Sequence, residues 1–272
     1  MQNELKNAIR FDDFYAVYGS QGIVAMAWLL GSMHAESIRA EQYSFPFLHI
    51  TGSAGSGKTS LMGYLWKLNE QDSLTSYETK RAHPAGLARM ICLADNQAIV
   101  FEESSEPEPV FDWDVLAPLF NNGRLSVAGR VEQIETTFKG SVVICANPPI
   151  ECSEAIESRL AHIALSAPHT NESRHHAMRL QELQADQARV FGRIVRERKD
   201  QLLSTFNLIA PINTSILLDQ HGDQLSLRAA KNAGQLMALV DALSLLLDLS
   251  SEQSFRALNA VKYAACPEFV PY

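Results

Sequence analysis

The eight residues Gly52–Thr59 constrain the fold of this chain more than any other stretch. They spell Gly-Ser-Ala-Gly-Ser-Gly-Lys-Thr and match the pattern G-x-x-x-x-G-K-[ST] in full. An apolar run with strand character, Phe45–Thr51, precedes them, and a run with helical periodicity, Lys58–Leu68, follows. A strand that turns through glycines into a helix is the context in which this pattern holds phosphate. The sequence therefore predicts an α/β fold built around this glycine loop, as we call Gly52–Thr59.

The chemistry of the glycine loop predicts ATP and Mg²⁺ as its ligands. Backbone N–H groups can surround a triphosphate only where the chain turns tightly without bulky side chains. The helix that follows directs its positive end at the phosphates. We expect Lys58 to reach the β- and γ-phosphates and the Thr59 hydroxyl to hold Mg²⁺. The predicted nucleotide-binding residues are Gly52, Ser53, Ala54, Gly55, Ser56, Gly57, Lys58, Thr59 and Ser60. The alternative is a glycine-rich turn that matches the pattern by coincidence.

Two carboxylates end the next buried strand, Ala98–Glu102. In phosphoryl transfer one acid after such a strand orders the Mg²⁺ shell, and a second polarises the attacking water. We expect Glu102 on the metal side and Glu103 on the water side. The usual first acid is Asp, so Glu102 departs from the pattern and the order of the two roles stays open. The alternative is that both are ordinary surface acids at a strand exit.

A third buried strand, Ser141–Ala146, ends in an amide, Asn147, ahead of two prolines. A neutral amide can hydrogen-bond both a γ-phosphate oxygen and the attacking water. We therefore predict that Asn147 senses the γ-phosphate. The alternative is a turn asparagine, a common role for Asn before Pro.

Several arginines follow or interrupt these strands. The planar, permanently charged guanidinium of Arg159 suits a transferring phosphoryl group, with an ion pair to Glu154 or Glu157 as the alternative. Arg228 and Lys231 are further candidates to reach a γ-phosphate, from a helical lid. Leu125–Val127 and Gln133–Phe138 predict a hairpin around Gly129. Its Arg124 and Arg130 are candidate contacts to the backbone of single-stranded DNA, and a solvated hairpin or subunit contact is the alternative.

Hydrophobic periodicity divides the chain into three segments. Residues 1–44 form an N-terminal helical segment, 45–168 an ATPase core with a mainly parallel sheet, and 169–272 a C-terminal helical region. The remaining predicted elements of the core are strands Ser73–Tyr77 and His162–Leu165 and helices Pro84–Leu93 and Trp113–Phe120.

Composition limits the classes of partner. The formal net charge of −8 excludes a protein that coats DNA with its whole surface, so any DNA contact must be local. None of the four cysteines forms a C-x-x-C pair, and the histidines are loosely spaced, so we expect neither a zinc site nor a disulfide framework. No apolar run approaches the roughly 18 residues of a membrane span. The sequence predicts a cytoplasmic protein without membrane contact.

The order of these motifs resembles the AAA+ class of ring ATPases and, within it, the superfamily 3 helicases. "FPFLHITGSAGSGKTSLMGYLWKLN", "FDWDVLAPLFNNG" and "KNAGQLMALVDAL" are similar to the helicase part of primase–helicase proteins of phages and integrative elements. Many of those proteins carry a fused toprim primase. The resemblance extends from about residue 20 to about residue 250.

The resemblance implies ATP hydrolysis at the subunit interfaces of a homo-oligomeric ring, a hexamer, in which central hairpins pull single-stranded DNA. It implies nucleotide-site roles for Lys58, Thr59, Glu103 and Asn147. It also implies that Arg159 serves the nucleotide of the neighbouring subunit. Arg130 would be the hairpin contact to DNA. The sequence contains no primase segment, so either it is a fragment or a primase partner supplies priming.

Three functions remain to be distinguished. The first is an ATP-driven DNA helicase or replication motor of a mobile genetic element. The second is a nucleotide-gated regulatory or assembly ATPase that acts on a protein partner without moving DNA. The third is an oligomeric scaffold that binds ATP structurally. Stimulation of ATP hydrolysis by single-stranded DNA separates the first from the other two.

Overall fold

The computed structural model describes residues 2–70, 76–79, 96–103, 111–121, 124–128, 133–166 and 170–266, together with Leu87, Ile91 and Ala94. The helices are α1 Gln2–Ala8, α2 Phe11–Ser32, α3 Ala35–Gln42, α4 Lys58–Leu68, α5 Glu154–Glu157, α6 Asn171–Gln181, α7 Ala185–Ala188, α8 Val190–Glu197, α9 Lys199–His221, α10 Leu227–Leu247 and α11 Ser251–Ala265. Two 3₁₀ helices span Trp113–Asn121 and Gly222–Gln224. The strands are β1 Phe47–Thr51, β2 Ser76–Glu78, β3 Ala98–Glu102, β4 Arg124–Ala128, β5 Gln133–Thr137, β6 Ser141–Ala146 and β7 Leu160–Ala164.

Five strands form one parallel sheet in the order β2-β3-β6-β1-β7, and β4 and β5 form a separate antiparallel pair. Thr51 of β1 is level with Ala146 of β6, and Glu102 of β3 is level with Cys145. The carboxyl ends of β1, β3 and β6 therefore meet at one edge of the sheet. We call this the carboxyl edge, and the opposite one the amino edge.

The two faces of the sheet are covered by different layers, so its central strands are apolar on both sides. Leu48, Ile50 and Val143 point into the larger core cluster, which also contains buried side chains of α2, α4, α10 and α11. Phe47 and Ile144, one residue out of phase, point into the smaller cluster with the 3₁₀ helix Trp113–Asn121. This alternation follows from the two-residue period of a strand.

The helices before and after the sheet pack together in the larger cluster. The second half of α2 is buried from Gly22 to Ser32, and α2 packs against α6, α10 and α11. The Trp28 indole anchors α2 to the chain entering β1, because its Nε1 donates to the Pro46 carbonyl at 2.8 Å. Segments distant in the sequence thus share one core with the sheet.

Among the described residues, two helical runs are long and apolar enough to cross a membrane by length and composition alone, Phe11–Ser32 and Lys199–Gln224. Packing accounts for the first, because 67% of its most apolar stretch is buried inside the protein. Of the most apolar stretch of the second run, 22% is buried. This run contacts α10 and leaves Leu208 and Ile212 exposed. Both helices are longer than the uninterrupted apolar runs on which the sequence prediction was based.

Most predicted elements are confirmed. The bounds of α4, β3 and β6 agree with the prediction, and β4 and β5 form the predicted hairpin. The first strand begins two residues late, at Phe47, because the Phe45 amide bonds to the Phe120 carbonyl outside the sheet. The helix predicted over Trp113–Phe120 is a 3₁₀ helix that contains Pro118. The predicted helix Pro84–Leu93 lies mostly outside the described residues.

The other two predicted strands are shifted along the sequence. The last strand runs over Leu160–Ala164, two residues before the predicted start at His162. The second covers Ser76–Glu78, and the first three residues of its predicted range lie outside the described residues.

Candidate functional site

The glycine loop connects the carboxyl end of β1 to the first turn of α4. Gly52 and Gly57 have φ angles of +155° and +92°, which favour glycine. A Cβ on Gly52 would lie 2.4 Å from the Ser56 Oγ and 2.6 Å from the Leu165 carbonyl oxygen. The turn is therefore too close to its neighbours to accept a side chain at Gly52.

The start of α4 presents backbone donors at the carboxyl edge. The Leu61 amide makes the first intrahelical bond, to the Gly57 carbonyl at 2.8 Å. The three preceding amides, those of Lys58, Thr59 and Ser60, have no carbonyl available in a preceding helical turn. These amides and the positive end of the helix dipole favour an anion at this position.

The Lys58 ammonium group connects the glycine loop to β6. Its Nζ donates to Asn147 Oδ1 at 2.8 Å and to the Ser53 carbonyl at 3.2 Å. It also donates to the Gly52 carbonyl. The Gly52 amide in turn donates to the Asn147 carbonyl at 3.3 Å. Lys58 and Asn147, 89 residues apart in sequence, are thus direct neighbours.

A cleft of about 160 Å³ brings the predicted residues of three strands together. Its lining consists of Lys58, Thr59, Met62, Glu102, Glu103, Cys145, Ala146 and Asn147. Five of these side chains, those of Lys58, Thr59, Glu102, Glu103 and Asn147, were predicted from the sequence as parts of one site. The cleft places one cation, two carboxylates, one hydroxyl and one amide around a common space.

The environment of Glu103 shifts the pKa of its carboxyl upward. Partial burial raises the pKa of the Glu103 carboxyl, and the neighbouring charge of Glu151 raises it further. The Glu103 amide bonds to the Cys145 carbonyl at 2.9 Å, which fixes the backbone beyond the end of β3. Cys145 itself is a poor nucleophile here, because burial and Glu102 raise the pKa of its thiol to about 12.

The donors in the cleft fit a magnesium ion better than a softer metal. Mg²⁺ binds oxygen and is usually held by one or two carboxylates together with phosphates and water. Thr59 and Glu102 supply a hydroxyl and a carboxylate of this kind. Among the described residues no group of three or more His, Cys, Asp or Glu side chains is placed to hold a metal ion.

Arg159 lies at the amino edge, away from the cleft. Its carbonyl accepts a hydrogen bond from the Phe47 amide at 3.0 Å, beside the first residue of β1. The glycine loop follows the last residue of β1, about 13 Å further along at 3.3 Å per residue. The guanidinium lies 5.3 Å from the centroid of the Phe120 ring and donates to the Ala155 carbonyl. Arg159 therefore does not reach the cleft of its own chain.

The Arg159 guanidinium is partly buried near a second arginine and an aspartate. Partial burial lowers the pKa of this guanidinium, Arg228 lowers it further, and Asp114 opposes both effects. The ion pair to Glu157 considered from the sequence is not formed, because that carboxylate contacts the His162 Nε2 at 3.0 Å.

Arg228 and Lys231, the other two candidates for a γ-phosphate contact, do not line the cleft. Arg228 donates to the Ser158 Oγ at 2.8 Å, next to Arg159 at the amino edge, and Lys231 donates to the Gln42 carbonyl. The first turn of α10 packs against the amino edge. Both side chains therefore lie at the edge of the sheet opposite the cleft.

The two predicted DNA contacts differ in position. Arg124 is the first residue of β4 and pairs in register with Thr137, which places it at the open end of the hairpin. Arg130 lies outside the described residues. Both assignments remain predictions.

Three polar side chains form a connected line from β1 across β7, which no sequence motif indicates. His49 is fully buried and level with His162 of β7, and their Nδ1 atoms are 3.0 Å apart. The other ring nitrogen of His162, Nε2, contacts the Glu157 carboxylate. Burial and His162 lower the pKa of His49 to about 4, and Glu157 raises it slightly against them. The signal was a single histidine within each of two apolar strands, which becomes informative only once the strands are known to pair.

Comparison with known proteins shows a likeness of fold to solved structures. No protein-family model and no curated protein matches the sequence. A solved structure described as "SCCmec type IV Cch - active helicase" superposes with a TM-score of 0.61 at 14% identity. The match covers 93% of this chain and 50% of the other, so the chain spans about half the length of that protein. At this identity the likeness shows the fold alone.

Proposed function

We propose that this protein is an ATP-hydrolysing ring motor that acts on single-stranded DNA, a helicase or replication protein of a mobile genetic element. The observation that carries the proposal is the cleft in which Lys58, Thr59, Glu102, Glu103 and Asn147 meet at the carboxyl edge. The motif order and the fold of a structure described as an active helicase support the same assignment.

ATP binding would use the donors at the start of α4. Lys58 exchanges its contacts with the Gly52 and Ser53 carbonyls for phosphate oxygens, which match a cation better than neutral carbonyls do. The amides of Lys58, Thr59 and Ser60 add neutral donors at the same position. The exchange keeps the ammonium group paired in both states.

Hydrolysis would be promoted by Glu103 and Asn147. Glu103 accepts a proton from the attacking water while the water oxygen bonds to the γ-phosphorus. The bond from the γ-phosphorus to the bridging oxygen of ADP breaks, and inorganic phosphate leaves. Asn147 orients the water and the γ-phosphate through its amide. Mg²⁺, held by Thr59 and Glu102, supplies charge neutralisation on the phosphate oxygens when it is bound.

A homo-oligomer would complete the site. Arg159 is held at the amino edge, so it can stabilise a transferring phosphoryl group only in another copy of the chain. A hexameric ring is the arrangement that the resemblance implies, with the β4–β5 hairpins contacting DNA through Arg130 and Arg124. A primase carried on another chain or another segment would be the partner in replication.

The nucleotide-gated switch is a second candidate, and the net charge of −8 favours it. In this function the same cleft hydrolyses ATP, and the resulting change in subunit packing acts on a protein partner.

ATP hydrolysis measured with and without single-stranded DNA separates the two functions, alongside the oligomer mass by light scattering. The motor predicts strong stimulation by DNA and a ring-sized mass. Hydrolysis without stimulation at any salt concentration would favour the switch. Absence of both ATP binding and hydrolysis would refute both functions.

A further inference from the structure

A buried arginine holds the base of the β4–β5 hairpin. Arg39 of α3 is 2% exposed, and its Nη2 donates to the Gly140 carbonyl at 2.7 Å and to the Phe138 carbonyl at 3.3 Å. Its guanidinium also lies 5.3 Å from the centroid of the Phe138 ring. Residues 138–140 join β5 to β6, so these contacts hold the point where the hairpin returns to the sheet.

Burying a guanidinium is unfavourable unless its donors are used. Desolvation lowers the pKa of Arg39 to about 10, and Glu36 opposes this shift. An apolar side chain would fill the space without this penalty. The partners of its directed donors explain why a guanidinium is buried here, and they include two backbone carbonyls at the hairpin base.

The other strand of the hairpin is held by the same segment of chain. Asn121, three residues before β4, donates through its side chain to the Tyr43 carbonyl. The Phe45 amide donates to the Phe120 carbonyl at 3.1 Å. Residues 39–45 thus contact the chain on both sides of the hairpin, and we call them the root segment.

The root segment also contacts the C-terminal helices. Gln235 of α10 is fully buried and donates to the Ser44 Oγ at 3.0 Å. Gln42 donates to Asn207 Oδ1 of α9 at 3.1 Å. The hairpin base is therefore connected through the root segment to α9 and α10.

We propose that Arg39 is a positioning residue that fixes the orientation of the β4–β5 hairpin and thereby couples DNA contact at the hairpin to ATP turnover. The coupling rests on the proposed function, whereas the anchoring of the hairpin does not. Arg39 is not among the residues that line the cleft, so its proposed effect on turnover passes through the hairpin base.

The test compares the unsubstituted chain of 272 residues with its Arg39→Met and Arg39→Lys variants, and with Arg256→Met as the control. Arg256 is an exposed arginine of α11 that pairs with Glu252. Loss of a hydrogen bond from a charged group predicts amide exchange about 10- to 100-fold faster in residues 124–128 and 133–137 of Arg39→Met. Exchange in β1 and α10 stays as in the wild type. Arg39→Lys keeps the charge but loses the planar fork, so we expect an intermediate effect.

ATP hydrolysis is then measured with and without an oligothymidylate. We expect Arg39→Met to retain basal turnover and to lose about 2- to 30-fold of the stimulation by DNA, the range of typical coupling energies. Unchanged exchange and unchanged stimulation in folded Arg39→Met would overturn the proposal. Faster exchange throughout the chain would also overturn it, because Arg39 would then be a general packing residue.

Failure of the proposed function gives a different result. If the wild-type protein is not stimulated by DNA, the coupling fails, and local exchange alone decides whether Arg39 anchors the hairpin. If Arg39→Met does not fold, Arg39→Lys decides both points by the same two measurements.

Discussion

The two edges of the parallel sheet differ in the chemistry that they display. At the carboxyl edge, Lys58 lies with two carboxylates and an amide in one cleft. At the amino edge, Arg159 lies near Arg228, and partial burial and Arg228 together lower the pKa of its guanidinium. The two arginines contact an aromatic ring and carbonyl and hydroxyl acceptors. Under the proposed function, each edge would supply half of a phosphoryl-transfer site. The difference shows how one chain can hold complementary groups that never meet within it.

The largest effect is expected from the amino edge. Arg159→Ala should lower turnover about 10³- to 10⁵-fold, as for other arginines that act on a transferring phosphoryl group, while ATP affinity is kept. Steady-state hydrolysis and nucleotide titration measure the two quantities, with Arg256→Ala as the control. Mixing Arg159→Ala with Lys58→Ala should restore part of the activity, because mixed oligomers pair an intact cleft with an intact arginine. No recovery in proven mixed oligomers would contradict action between subunits.

A smaller loss is expected at the carboxyl edge. Glu103→Gln should lower turnover about 10²- to 10⁴-fold, the usual contribution of a general base, and should keep ATP binding. Because the pKa of Glu103 is raised, wild-type turnover should increase as the pH rises through that elevated value. This rise is measured as the pH profile of ATP hydrolysis. Wild-type activity in Glu103→Gln would assign the water to Glu102 instead.

Between the two edges, His49 should make stability depend on pH. Its pKa of about 4 lies below the unfolded value of 6.5, so the unfolded chain binds the proton more readily. The contribution of neutral His49 to the free energy of unfolding is fully present above about pH 6.5. It is lost as the pH falls towards 4, and the loss is up to about 3 kcal/mol. Denaturant unfolding across this range measures it. His49→Gln should flatten the dependence, and His175→Gln, at an exposed helical position, should not.

The smallest effect concerns the shape of the glycine loop. Gly52→Ala should destabilise the protein by about 1–3 kcal/mol, because the new Cβ meets a backbone carbonyl in a strained conformation. Gly55→Ala is the matched control, since Gly55 also has a positive φ, +81°, but nothing lies within 4 Å of its Cβ position. Thermal unfolding of the two variants separates the steric clash, which only Gly52→Ala introduces, from the backbone strain, which both introduce. Equal effects would show that crowding at Gly52 is unimportant.

Local patterns made the carboxyl edge predictable. The glycine loop, the acids after β3 and the amide after β6 each follow an apolar strand, and parallel strands bring such positions together. The glycine spacing also fixed the start of α4 at Lys58.

The amino edge was harder to predict because its contacts join distant parts of the chain. Nothing near Arg228 in sequence indicates its contact with Ser158, 70 residues away. The same holds for Arg39 and Gly140, which are 101 residues apart. The His49–His162 contact depends on the register of β1 against β7, which apolar runs alone do not specify.

The shared core of the first and last helices has a practical consequence for dissecting the molecule. Trimming the chain at residue 45 would remove α2 and expose the face of the sheet that carries Leu48 and Val143. Trimming after β7 would remove α10 and α11 from the same face. Either truncation would leave a large apolar surface exposed to water and prone to aggregate. Studies of separate parts should therefore inactivate groups by point substitution and keep both terminal helical regions.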